Sequence, residues 1–237
     1  MDGFAHHGRM DYIAIQIVIL VIVGIYYVRR QLGQSSPLLP LDLLKIPIFT
    51  LSISTSICSF TAQMLAMVSL PFFLQNTLGH SEVMTGLLLT PWPIATLITA
   101  PTAGYLVERI HPGILGSIGM ILFATGLFSL STLTAESTDL SIIWRLALCG
   151  AGFGLFQTPN NSTIISSAPT ARSGGASGML GMARLLGQTF GTTLVALLFS
   201  FIAHEKSTSV CLLVGSGFAV AAAIISGLRI SQPSTVK

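Results

Sequence analysis

The side chains of this 237-residue chain whose types and positions could do chemistry are arginines and amides set inside long apolar runs. Arg184 stands ten residues into the run that begins at Gly174, roughly 15 Å along a helix. A charge at the bilayer centre costs about 2.5 to 3.5 kcal/mol on insertion scales, so Arg184 calls for a bundle interior, a water-filled cavity or a carboxylate partner. Arg145 follows Trp144 near one end of another run, where it either snorkels to headgroups beside an interfacial Trp or acts as a buried gating charge. Gln63, Gln157, Asn160, Asn161 and Gln188 lie within runs, and such amides either tie helices together or line a polar path. Pro159 removes a backbone donor in the same turn, and the freed carbonyl together with Asn160 would suit a cavity wall. Gln63, Met67, Gln157 and Asn160 are therefore the candidate wall, with Arg145 and Arg184 as the candidate charges.

These groups support recognition and gating rather than bond-making. The runs hold no nucleophile, base and orienting group of the kind an enzyme needs. Cys58, Cys149 and Cys211 read as small buried hydrophobes without zinc or disulfide spacing, and neither a metal nor a cofactor is implied. All eight acidic residues and all five histidines fall in connections or near run ends, so no mid-membrane group is available to bind and release a coupling proton. Phe60, Met64, Met67, Trp92, Phe153 and Phe156 could form a soft wall for lipophilic cations if several line one cavity.

The elements that must carry these residues follow from composition. The mean hydropathy is +0.80, and only 8% of residues are charged, where globular domains use about a quarter. Most of the surface must face lipid, which sets aside a cytosolic enzyme, a nucleic-acid module and a disordered tail. Apolar runs of about 20 residues, enough to cross a bilayer core, occur seven times. They are Tyr12 to Val28, Ile46 to Leu74, Val83 to Leu106, Gly113 to Leu133, Leu140 to Ile165, Gly174 to Ala203 and Ser209 to Leu228. The fold expected is an all-α integral membrane protein of about seven transmembrane helices. Residues 1–11 read as an outer segment and 12–28 as one helix set apart. Residues 29–45, carrying Gly33, Pro37 and Pro40, read as an inner linker. Residues 46–230 form a six-helix unit, followed by an inner tail at 231–237. The segment before Tyr12 lacks the basic region and cleavage site of a signal peptide.

With the N-terminus outside, Arg29, Arg30, Lys45, Arg109, Arg172, Arg229 and Lys237 all fall inside, against Arg9 and Lys206 outside. That asymmetry predicts an outside N-terminus and a cytoplasmic C-terminus. Small residues carry a second pattern. Gly150, Gly152 and Gly154 crowd one run, and Gly174, Gly178, Gly181, Gly187 and Gly191 another, with four-residue spacings that permit close helix packing. Gly150, Gly154, Gly178, Gly187 and Gly191 are the expected packing positions. Pro91, Pro93 and Pro101 predict breaks in the run from Val83 to Leu106.

Gly104, Leu106, Glu108 and Arg109 spell G-x-L-x-E-R between two runs, which resembles the inner-loop signature of the major facilitator superfamily in its second-half form. His111, Pro112 and Gly113 stand where the family pattern continues with glycine and basic residues. Arg145 with Gly150, Gly152 and Gly154 resembles that family's Arg/Gly helix. SGGASGMLGMARLLGQTFG is similar to the penultimate helix of its fourteen-span drug/proton antiporters, the EmrB/QacA-like branch, and PLLPLDLLKIPIFTLS to the entry of that branch's second bundle.

The resemblance implies the C-terminal six-helix bundle plus one preceding central helix. It also implies an N-terminal bundle elsewhere that carries the proton-titrating carboxylates. The activity it implies is proton-coupled multidrug efflux by alternating access in a bacterial inner membrane, exporting lipophilic or quaternary ammonium cations such as methyl viologen. Arg184 would then pair with a carboxylate of the other bundle. A truncated, non-autonomous remnant is the alternative reading, and a seven-helix receptor a remote one. The last run holds no lysine for a retinal, and the DRY and NPxxY patterns are absent. The partners expected are a lipid bilayer, cationic drugs and the other bundle, with no nucleic acid.

Overall fold

A computed structural model describes residues 22, 23, 26 and 40–231. Ile22, Val23 and Tyr26 are helical and exposed; the remainder of the expected span at 12–28, the segment 1–11, most of the linker and the tail lie outside the described residues. From residue 42 onward the chain forms one compact helical unit.

Its helices are α1 (Pro47–Asn76), α2 (Glu82–Leu89), α3 (Pro91–Leu106), α4 (Pro112–Ser131), α5 (Asp139–Ser166), α6 (Ser173–Phe201) and α7 (His204–Leu228). Among the described residues there is no strand. Six stretches are long and apolar enough to cross a membrane, with α2 and α3 counted as one. The boundaries follow local chemistry. Proline occupies the first turn of α1, α3 and α4, where its missing N–H costs no hydrogen bond. The side chains of Ser81, His111 and Thr138 cap α2, α4 and α5. The expected break in the second of these spans lies at Thr90, whose N–H reaches back to Leu87 while its hydroxyl donates to the Gly86 carbonyl.

The long helix α1 is the hub, packed on α7, α6 and α5, while α5 also holds α3 and α4, and α4 closes on α7. Close approach comes from small residues rather than from an apolar stripe. Ser52, Thr55, Ser56 and Ser59 are buried on α1, and each hydroxyl that donates does so to a carbonyl three or four residues back. Satisfied in this way, a small hydroxyl can face a neighbouring helix without a stranded polar group. Phe123, Phe153, Phe156 and Trp92 fill the centre in edge-to-face and tilted contacts at 5.4 to 6.4 Å.

The helices are unequally enclosed. The apolar windows of α1 and α4 are 56% buried, that of α2 with α3 only 17%, and that of α6 only 22%. The two flanks with the least cover border the same cleft.

Candidate functional site

That cleft has a volume of about 720 Å³ and is walled by α1, α2, α3, α5 and α6. Helical spacing decides what each helix contributes. Phe60, Gln63 and Met67 lie three and four residues apart on α1, and Phe153 and Gln157 four apart on α5, so each set shares a face. The break at Thr90 turns Trp92 inward at the start of α3, where its ring meets Phe123 at 5.4 Å. Gly150 and Gly154 let α3 approach α5: a Cβ at 150 would overlap the Trp92 carbonyl, and one at 154 would reach Thr96 and Thr99. Thr96 then bridges the helices, donating to the carbonyls of Trp92 and Gly150 at 3.0 Å each.

On the opposite side Gly187 and Gly191 bring α6 onto α1 near Ile57 and Thr61. The Thr61 hydroxyl lies 3.2 Å from the Gly187 carbonyl. That contact carries Arg184 to the cleft, with its guanidinium carbon 5.3 Å from the centroid of the Phe60 ring. Arg184 makes no hydrogen bond or ion pair with another described residue, and no described Asp or Glu lines the cleft. Gln63 and Gln157 are half-buried and also bond no described residue. The indole N–H of Trp92 is buried without an acceptor. The wall is thus aromatic and thioether in substance, with one positive charge and several uncommitted polar groups.

Gln63, Met67, Gln157 and Arg184 are brought together here. Asn160 is not, and its expected place in the wall is corrected. It is buried, its amide donates to the Ser56 hydroxyl at 2.8 Å, and its carbonyl oxygen accepts from Arg229. Arg145 is also elsewhere, at the far end of α5. It donates at 2.6 Å to the Ser129 carbonyl near the C-terminus of α4 and stacks on Trp144 at 5.3 Å. Among the packing glycines Gly178 meets no described neighbour: a Cβ there would find nothing within 4 Å, as at Gly174 and Gly181. In the loop after α3, Glu108 and Arg109 are exposed, and Arg109 covers the Tyr105 ring at 4.5 Å. Leu106 ends α3, and Gly104 faces Thr158 of α5.

The residue that sequence reasoning missed is Arg229, counted above among the inner-loop charges. It is 1% exposed, and its Nη1 donates to Ser52 at 3.0 Å and Asn160 at 2.8 Å, while Nη2 donates to the Ser226 hydroxyl. Gly116 of α4 leaves room for it, since a Cβ there would stand 3.0 Å from Nη2. An arginine just after an apolar run looks the same in sequence whether it turns out to headgroups or back into the bundle. The spacing of Ser226 to Arg229 is the one local hint.

Comparison with known proteins places this geometry. The model of the Major Facilitator Superfamily matches residues 12–192 and 52–235. The chain is 60% identical over 233 residues to the uncharacterized transporter YebQ of Escherichia coli K12, covering 98% of this chain and 51% of that protein. It is 29% identical over 200 residues to the multidrug efflux pump LfrA of Mycolicibacterium smegmatis, covering 83% of this chain and 39% of the pump. With the multidrug resistance protein Stp of Mycobacterium tuberculosis it shares 32% identity over 165 residues, 70% of this chain and 30% of that protein. The chain spans about half or less of the length of these curated relatives.

Proposed function

Because this chain belongs to the major facilitator superfamily, we propose that its helical bundle supplies one wall of the substrate path in a multidrug efflux transporter of the drug/proton antiporter branch. The observation that carries this reading is the open cleft between the two least-covered flanks, lined by Phe60, Gln63, Met67, Trp92 and Gln157. Mostly apolar clefts with a few directed polar groups are the form that small-molecule sites take. The efflux pump and resistance protein among the relatives support the same reading.

A second bundle of similar size packs over α3 and α6, and rocking of the two bundles exposes the cleft to each side of the membrane in turn. This bundle is the C-terminal one. The second bundle supplies the carboxylates that handle the coupling proton, since no described carboxylate or imidazole lines the cleft. The protein sits in the inner membrane of a bacterium with its basic loops and C-terminus in the cytoplasm. For lipophilic cations this wall offers aromatic faces and the Met67 thioether, while their neutralising charge has to come from across the cleft.

Dye export from efflux-deficient bacteria tests the proposal. The chain is expressed alone, and together with the part of the E. coli relative that it does not cover. Ethidium export is expected only from the pair and is expected to fall at least tenfold with Gln157→Trp, which fills the cleft. Export that is equal with and without the companion, or unchanged by Gln157→Trp, overturns it.

A further inference from the structure

The sole charge on the cleft wall is positive, and nothing described in the chain neutralises it. Arg184 is the twelfth residue of the 29-residue helix α6, near its middle, and its guanidinium rests on the Phe60 ring at 5.3 Å. An aromatic face holds such a cation in place but leaves its N–H donors unspent. Around it the wall presents the amides of Gln63 and Gln157, without partners among the described residues, while the Trp92 indole N–H, which also lacks an acceptor, is buried away from the cleft surface. The hydroxyls of Thr90 and Thr96, which also line the cleft, already give their protons to the Gly86 carbonyl and to Trp92 and Gly150. Among the described residues the cleft therefore holds an excess of donors, one fixed cation and no anion. A cation kept at this depth without a counter-charge carries a cost of kcal/mol order, which an arriving anion removes.

From this we infer that the cleft is a binding site for lipophilic aromatic anions, with Arg184 as the counter-charge and the accessible apolar lining at Met67, Pro93 and Leu97 as the surface that takes the ring. This rests on the reading of the cleft as a substrate wall. It names the charge class that this wall can hold without help from another bundle. A planar carboxylate matches the guanidinium fork, and a sulfonate or phenolate offers the same acceptor chemistry. A quaternary ammonium of the same ring system would gain the same apolar contacts and meet Arg184 with like charge.

A matched pair of probes tests the inference: 2-naphthoate and 2-naphthyl-trimethylammonium, which share a ring and differ in charge. Each is titrated calorimetrically into the full chain in lipid nanodiscs, with empty nanodiscs as the blank. Naphthoate is expected to bind at least tenfold more tightly than the ammonium probe. Arg184→Gln should cost naphthoate about tenfold, the loss of one charge-assisted contact, and should improve ammonium binding. Arg184→Lys keeps the charge and is expected to retain part of the naphthoate affinity, which separates loss of charge from misfolding.

Naphthoate affinity unchanged by Arg184→Gln, or an ammonium probe that binds as tightly as naphthoate to the unaltered chain, overturns the inference. Either result would assign the counter-charge of Arg184 to a carboxylate of another protein segment. Gln157→Trp separates the two levels of the argument. If it blocks both probes while Arg184→Gln changes neither, the cleft stands as a binding wall and the charge assignment falls. If it blocks neither, both fall.

Discussion

Nη1 of Arg229 donates to the side-chain oxygen of Asn160 across 2.8 Å, with each residue only 1% exposed. This contact joins the short turn Arg229–Ser231 that follows α7 to the C-terminal part of α5, and Ser52 adds α1 at 3.0 Å. A buried guanidinium held by neutral acceptors is costly to strip, because each lost acceptor leaves charged N–H groups unsatisfied. Asn160→Leu is expected to destabilise the bundle by about 2–3 kcal/mol. Asn160→Asp supplies the same acceptor with a charge and should melt at or above the unaltered chain. Thermal unfolding in detergent distinguishes them; equal midpoints for all three would show that the contact contributes nothing.

Glycines with the same spacing should respond in opposite ways. A Cβ at 191 would stand 2.7 Å from the Thr61 carbonyl and 2.8 Å from the Met64 Cβ, so Gly191→Ala must push α6 off α1. Overpacking of this kind costs about 1–3 kcal/mol. At Gly178 a Cβ meets nothing, and Gly178→Ala gains helix propensity of up to about 1 kcal/mol. Melting midpoints of the two variants of this chain should therefore move in opposite directions, and a loss at both positions would contradict the open face of α6.

Those two glycines show how far the sequence is legible. Apolar run length and the residues that close each run located the six spans from Ile46 onward to within about five residues: Gly113 to Leu133 became α4 and Leu140 to Ile165 became α5. Lipid imposes both limits, so local composition carries them. Which face of a helix meets a partner is not local information. Gly178 and Gly191 sit in the same pattern, yet only the second lies against α1. The same holds for Gln157 and Asn160, which are three residues apart and so about 60° apart around α5. That rotation is enough to aim one amide into the cleft and the other at Arg229. Arg229 itself was hidden because its partners come from α1 and α5, over 60 residues away in the chain.

Arg145 closes the end of α4. It donates to the Ser129 carbonyl at 2.6 Å, which also accepts from the N–H and hydroxyl of Thr132, and to the Thr132 hydroxyl at 3.4 Å, at a helix end whose dipole favours a cation. Arg145→Ala is expected to cost about 1–2 kcal/mol, and the loss should be local. Hydrogen exchange should accelerate for the amides of residues 129–133 and remain unchanged around Gly116, at the other end of α4. Arg145→Lys should restore part of the protection. Uniform acceleration along α4 would indicate a global role instead.

Thiol labelling in membranes can tell a water-filled cleft from a lipid-facing groove. Cys149 and Cys211 are buried and Cys58 is half-buried, so serine or alanine replacements give a background of low reactivity. Single cysteines at 63, 157 and 184 then sample the cleft, while 118 and 224, at exposed Ile118 of α4 and at exposed Ile224 in a shallow groove between α4 and α7, sample surface outside it. A thiol reacts as the thiolate, which water supports and hydrocarbon suppresses. A small, charged, membrane-impermeant methanethiosulfonate should label the cleft positions at least tenfold faster than 118 and 224. An anionic reagent should label position 157 faster than a cationic one while Arg184 is present, and that preference should shrink in Arg184→Gln. Equal labelling at 157 and 224 would mean that lipid fills the cleft, and Gln63 and Gln157 would then be helix-bonding amides rather than parts of a substrate path.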